Sequence, residues 1–180
     1  RYGSSAASDV YKRQDSNFIN LETLLFVDID TQSLLHIKKG TVLKQYSISS
    51  SYYGTGSREN SFKTPLGRHE IYKKIGNDLP VNAILKGRVW SGAIADIIEE
   101  PLDTDFDHVT SRILWLDGLE VGKNKGIGID SRNRYIYIHG THEEGLIGQK
   151  ASHGCIRMFN DDVIELFDMV SEGTKVQIRA

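Results

Sequence analysis

Cys155 is the chain's only cysteine, and three of the six histidines, His139, His142 and His153, fall within the 20-residue stretch IHGTHEEGLIGQKASHGCIR that closes on it. A thiolate attacks acyl carbonyls well, but an ordinary thiol with a pKa of about 8.5 is mostly protonated at neutral pH and needs a base or cation beside it. Histidine can be either. A strand ending near His139 that turned back through Gly140, Gly145 and Gly148 into Ser152–Arg157 would set His139 against Cys155. His153, two residues before Cys155, would share its face in extended backbone and is the rival base. Gly154 clears space beside the nucleophile so that backbone N–H groups can meet a tetrahedral oxyanion, and Arg157 could clamp a substrate carboxylate.

Each residue has a plainer use. A lone cysteine often serves as a small buried hydrophobe, a glycine-flanked histidine as a turn residue, and Arg157 as a surface ion pair. Zinc is the chemical rival, with His139, His142, His153 and Cys155 as ligands and Glu143 or Glu144 as base, although H-x2-H-x10-H-x-C is not a finger spacing.

The elements that must position these groups read mostly as strands. Leu24–Ile29, Ser33–Lys38 and Val42–Ser50 form a meander of antiparallel neighbours. A Ser- and Gly-rich loop and the Thr64-Pro65-Leu66-Gly67 turn lead into a strand at Arg68–Lys73. Val109–Leu116 and Arg134–Ile138 are further strands, the second with Tyr135 and Tyr137 on one face. Between them, residues 74–107 are irregular and hold the acids Glu99, Glu100, Asp103, Asp105 and Asp107, expected as a solvated loop without the spacing of a calcium cage. Val163, Leu166, Phe167 and Val170 mark one amphipathic helix capped by Asn160, and Lys175–Ile178 a last strand. The expectation is a mainly β, antiparallel sandwich-like domain with at least one packed C-terminal helix.

The 180 residues suit one domain, expected over 17–180. A net charge of −2 gives no footprint for nucleic acid or an anionic membrane, and no apolar run approaches the roughly 20 residues of a transmembrane segment. One cysteine allows no internal disulfide. Residues 1–14, RYGSSAASDVYKRQ, lack periodicity and an initiating Met; they resemble adapter read-through and are expected to be a non-native or disordered tail, so that a natural start and any export signal lie outside the chain.

The stretches IHGT (138–141) and IGQKASHGCIRMFNDDV (147–163) closely resemble the catalytic signature of the L,D-transpeptidase catalytic domain (YkuD) family. Upstream, VDIDTQSLLHIKKGTVLKQYSIS and KTPLGRHEI resemble its opening strands and TPxG segment, so the likeness covers most of 24–178 and is weakest over 74–107. The resemblance implies the family's fold and a cell-wall enzyme, periplasmic or wall-associated, that acts on peptidoglycan stem tetrapeptides and shapes the wall. Cys155 would attack the carbonyl of the third residue, D-Ala would leave, and the thioester would pass to an amine. By the same resemblance His139 is base and then acid, and the Gly140 carbonyl orients its ring. His153, Gly154 and Cys155 shape the oxyanion hole, while Ser152 and Arg157 line the substrate side. No metal or organic cofactor is implied. The acceptor stays open between a second stem peptide, an outer-membrane lipoprotein and water, and the other classes are a zinc-dependent peptidase and a wall-binding module with vestigial catalytic residues, against which an intact Cys155 with His139 argues.

Overall fold

The structure is a computed structural model that describes residues 21–180. The expected tail at 1–14 lies outside the described residues.

Among the described residues, ten strands join in one hydrogen-bonded sheet. β1 (Thr23–Asp28), β2 (Ser33–Lys38) and β3 (Thr41–Ser47) form the expected meander. On its other edge β1 pairs with β10 (Lys175–Arg179), which pairs with β4 (Gly67–Ile75), and β4 pairs with β7 (Val109–Gly118). Beyond β7 lie a hairpin of β5 (Ala83–Lys86) and β6 (Val89–Ile94) and the pair β8 (Tyr137–Thr141) and β9 (Ile156–Met158). The fold is mainly β, as expected, but the sheet is mixed: β1 runs parallel to β10, and β8 to β9.

Period-two alternation sorts β1 between two apolar layers. Leu25 and Val27 enter the main core with Leu114, Leu116, Ile138, Ile156 and Val176, while Leu24 and Phe26 pack on the other face with Leu35 and Ile37. Both faces of β1 are covered, which is why its sequence is nearly continuous in apolar residues. The single α-helix among the described residues, α1 (Asn160–Met169), closes the main core with Val163, Leu166 and Phe167 and packs on β7 and β8.

Three local expectations change. Asn160 is not the cap: Phe159 holds that position, and the first helical N–H is met by Glu144 Oε1 from a distant loop at 2.8 Å. The strand expected at Arg134–Ile138 begins only at Tyr137, because Tyr135 adopts a left-handed φ of 56° and turns the chain. Residues 74–107 are not wholly irregular, since they contain the β5–β6 hairpin. That hairpin was obscured by its short strands and by the outward faces of Val89, Trp90 and Ile94, which remove the apolar alternation.

Candidate active site

His139 sits in the middle of β8, between Ile113 of β7 and Arg157 of β9. β8 and β9 are parallel, not the hairpin return expected. Their connection runs from His142 to Cys155, long enough for the crossover that parallel pairing needs. This register puts His139 beside Arg157 and leaves Cys155 one residue before β9, against Tyr137. On its free side β9 bridges to Ser49, each amide donating to the other's carbonyl at 2.8 and 2.9 Å. Cys155 is thus the last residue of a turn held from both sides.

The turn is locked from within. Ser152 Oγ donates to the Cys155 carbonyl at 2.6 Å and accepts the Gly154 N–H at 3.3 Å, while Thr64 Oγ1 donates to the Gly154 carbonyl at 3.0 Å. Gly154 has φ 122°, where an L side chain is strained. Ser152 is completely buried, so it braces the turn and does not line the substrate side as the resemblance implied.

The His139 ring is 1% exposed, and its Nδ1 lies 2.6 Å from the Gly140 carbonyl. A carbonyl only accepts, so Nδ1 carries the proton and Nε2 is left as the basic nitrogen. Burial lowers the His139 pKa; Asp107 and the Gly140 carbonyl pull it back up in part, and Arg157 lowers it further. The resting imidazole is neutral. Gly140 admits no side chain, because a Cβ there would fall 2.6 Å from Asn160 Oδ1 and 2.7 Å from the Thr110 carbonyl.

The Cys155 thiol contacts backbone, with the Tyr137 N–H donating to Sγ at 3.3 Å and Sγ lying 3.4 Å from the Tyr135 carbonyl. No hydrogen bond joins it to His139 among the described residues. Burial pushes the thiol up to about 12; the Tyr137 N–H opposes this, Asp107 adds to it, and Arg134 and Arg157 act against it. The resting pair is thiol and neutral imidazole, not thiolate and imidazolium. The residue is still partly accessible, at one wall of a groove of about 240 Å³ lined also by His153, Tyr135, Arg134, Phe62 and Asn133.

Arg157 departs furthest from expectation. It is 1% exposed, and Nη1 bonds Glu143 Oε2 at 2.7 Å and Asp107 Oδ1 at 3.2 Å. The expected clamp is a buried ion pair, because β9 turns its face beneath the loop 95–108. His153 instead stays about half exposed: its Nδ1 lies 3.3 Å from Asp107 Oδ2, and its ring packs on Tyr53 and Phe62. His142 packs against His108 with ring centres 4.6 Å apart. The four zinc ligands considered therefore face different partners, and no group of three His, Cys, Asp or Glu side chains among the described residues converges on a common point.

Two site residues were missed in the sequence. Asp107 was absorbed into an acidic run that reads as solvated loop. The fold straps that run down instead, with Ile98 N–H donating to the His142 carbonyl, and Thr104 N–H and Oγ1 both donating to Glu143 Oε1. Arg134 lines the groove while donating to the Gly56 and Lys63 carbonyls at 3.2 and 2.7 Å; nothing in its local pattern marks it.

The family model of the L,D-transpeptidase catalytic domain (YkuD) matches residues 22–178. YbiS of Escherichia coli K12, named a probable L,D-transpeptidase, is 28% identical over 152 residues, which are 78% of this chain and 44% of YbiS. ErfK/SrfK of the same organism, also named a probable L,D-transpeptidase, is 53% identical over 45 residues, 25% of this chain and 14% of its own. The chain thus spans less than half of these curated relatives. Among solved structures, an L,D-transpeptidase from Mycobacterium smegmatis superposes with a TM-score of 0.52 at 21% identity, covering 88% of this chain and 59% of that one. L,D-transpeptidase 3 from Mycobacterium tuberculosis, solved with a faropenem-derived adduct, gives 0.54 at 14% identity over 88% and 60%. These likenesses show a shared fold, and with a family match running from β1 to β10 the chain belongs to the L,D-transpeptidase catalytic domain family.

Proposed function

We propose that this domain, a single unit over 17–180, is a cysteine-dependent L,D-transpeptidase of the periplasm or cell wall that takes peptidoglycan stem tetrapeptides as acyl donors. The observation that supports the reading is the pairing of β8 with β9, in which His139, its Nδ1 on the Gly140 carbonyl, lies opposite Arg157, two residues after the partly accessible Cys155. In the first step the thiol leaves its resting contacts and gives its proton to His139 Nε2. The sulfur attacks the carbonyl of the third stem residue, and the oxyanion is met by N–H groups of the His153–Cys155 turn. The C–N bond then breaks, and D-Ala departs with the proton from His139. In the second step an amine attacks the thioester and loses its proton to His139, and the sulfur is released. A second stem peptide gives a cross-link, a lipoprotein amine an anchor, and water a carboxypeptidase product.

Each residue has a part in this reading. Gly140 fixes the tautomer of the base, Ser152 and Gly154 shape the turn, and Arg134, which lines the groove, replaces Arg157 as the cation open to a substrate carboxylate. The chemistry needs no metal or organic cofactor. Incubating the protein with purified disaccharide tetrapeptide and reading the products by mass spectrometry tests the proposal. Loss of D-Ala with a new cross-link, exchange or hydrolysis product supports it, and recovery of unaltered tetrapeptide overturns it.

A further inference from the structure

The loop 95–108 is docked on the site more firmly than its composition suggests. Backbone bonds tie Ile98 to the His142 carbonyl and to the Gly145 N–H, and Thr104 bonds Glu143 twice. The loop ends on Asp107, whose carboxylate divides between two elements: Oδ1 on buried Arg157 of β9 and Oδ2 on Nδ1 of His153, two residues before the nucleophile. Tyr53 and Phe62 hold the same His153 ring from other directions. Asp107 is therefore the link between the buried Glu143–Arg157 pair and the exposed histidine of the Cys155 turn.

We propose that Asp107 is a positioning residue for the acyl transfer, fixing the ring of His153 beside the nucleophile and placing a negative charge on Arg157, the β9 residue opposite His139. The proposal rests on the transpeptidase reading for its turnover arm only. The charged and titratable groups facing Asp107 are Arg157 from β9, His153 from the turn, His139 from β8, and His142 with Glu143 from the loop after β8. Burial works against the Asp107 charge, but His139, Arg157 and His153 outweigh it and hold the carboxyl below the usual range. The charge acts on both catalytic groups in one direction, making His139 a better proton holder and Cys155 a worse proton donor. In the free protein it adds to the burial that keeps the nucleophile as thiol. During the reaction the sulfur's charge passes to the substrate, so what is left for Asp107 to stabilise is imidazolium, the form that returns the proton to D-Ala.

A group with this role gives two responses of opposite sign, which a purely structural group does not. In Asp107→Asn, alkylation of Cys155 by iodoacetamide, followed by intact mass between pH 7 and 10, is expected to quicken about threefold or more at each pH, as a lowered thiol pKa raises the thiolate fraction. Turnover of the tetrapeptide is expected to fall about tenfold, with its acid limb displaced to lower pH. Asp107→Glu, which restores the charge, is expected to keep the parent's alkylation rates, and Asp105→Asn, in the same acidic run but away from the Arg157 and His153 bonds that Asp107 makes, to match the parent in both assays. Asp107→Ser removes the charge by a second route should the amide not fit. Unchanged or slower alkylation in a folded charge-removed variant overturns the proposal, as does faster alkylation in Asp107→Glu. Absence of tetrapeptide turnover in the parent would defeat the transpeptidase reading, while the alkylation arm would still decide the role of Asp107.

Discussion

A thiol raised to about 12 beside a neutral imidazole makes the resting protein a poor thiolate source. In the proposed acyl transfer, proton transfer accompanies attack once substrate has displaced the backbone contacts of Sγ. The two groups also set the pH dependence. The His139 pKa is lowered, chiefly by burial, so it stays a neutral base below the ordinary histidine value near 6.5. The acid limb of donor turnover is accordingly expected below that value; a limb centred above it, in a pH–rate profile of kcat/KM, would contradict the assignment. His139→Ala removes base and acid together and is expected to cost about 10²-fold or more in turnover. His153→Ala, which removes a ring held by Asp107 and two aromatics but leaves Nε2 of His139 in place, should cost less. Cys155→Ala is expected to abolish turnover, read as unaltered tetrapeptide by mass spectrometry. Its thermal unfolding should move little, because the side chain lies at a groove wall and only a sulfur is lost.

At the scale of elements, the parallel β8–β9 pair sets what each residue of the motif can do. Its crossover sends Glu143 inward to meet Arg157 with both side chains about 1% exposed. Burial alone would raise the Glu143 carboxyl, but the two Thr104 bonds and Arg157 hold it down as a carboxylate. Removing one partner of such a pair strands the other's charge, so Glu143→Gln is expected to destabilise the domain by about 3 kcal/mol, measured by denaturant unfolding. An effect near zero would mean that Arg157 has other means of satisfaction. Motif spelling and strand alternation made part of this region legible: the strand carrying His139, the glycine turn before β9 and α1 all follow from local sequence. The clamp role for Arg157 failed because exposure at a strand position depends on what packs above it. Here that is the loop 95–108, whose docking rests on long-range bonds such as Thr104 to Glu143 that leave no periodic trace. Asn160 misled in a similar way. A cap residue by type, it bonds Thr110, Ser111 and the Thr141 carbonyl, and so ties α1 beneath the strand that bears His139.

Across the molecule, the parallel closure of β10 on β1 was legible as a final strand but not as a partner choice, since alternation fixes a strand's faces and not its neighbours. The same limit hid another buried histidine. His69 on β4 reads as one polar step in an alternating strand, yet it is fully buried and bridges that strand to the long excursion after β7, with Nδ1 3.0 Å from the Gly67 carbonyl and Nε2 2.8 Å from Ser131 Oγ. Burial lowers its pKa to about 4, against a smaller upward pull from the Gly67 carbonyl. The folded state thus holds the neutral ring, and the unfolded chain, with a value near 6.5, binds the proton more readily. Stability from this group is complete above pH 6.5 and is lost as the pH falls toward 4, by about 3 kcal/mol in all. His69→Gln keeps hydrogen-bonding capacity without the titration. It is expected to lower stability somewhat at neutral pH, but to flatten the decline between pH 6.5 and 4 relative to the parent. Paired urea unfolding curves at pH 7 and pH 4.5 measure the difference, and an equal decline in both proteins would place the acid sensitivity of the fold at other groups, His139 among them.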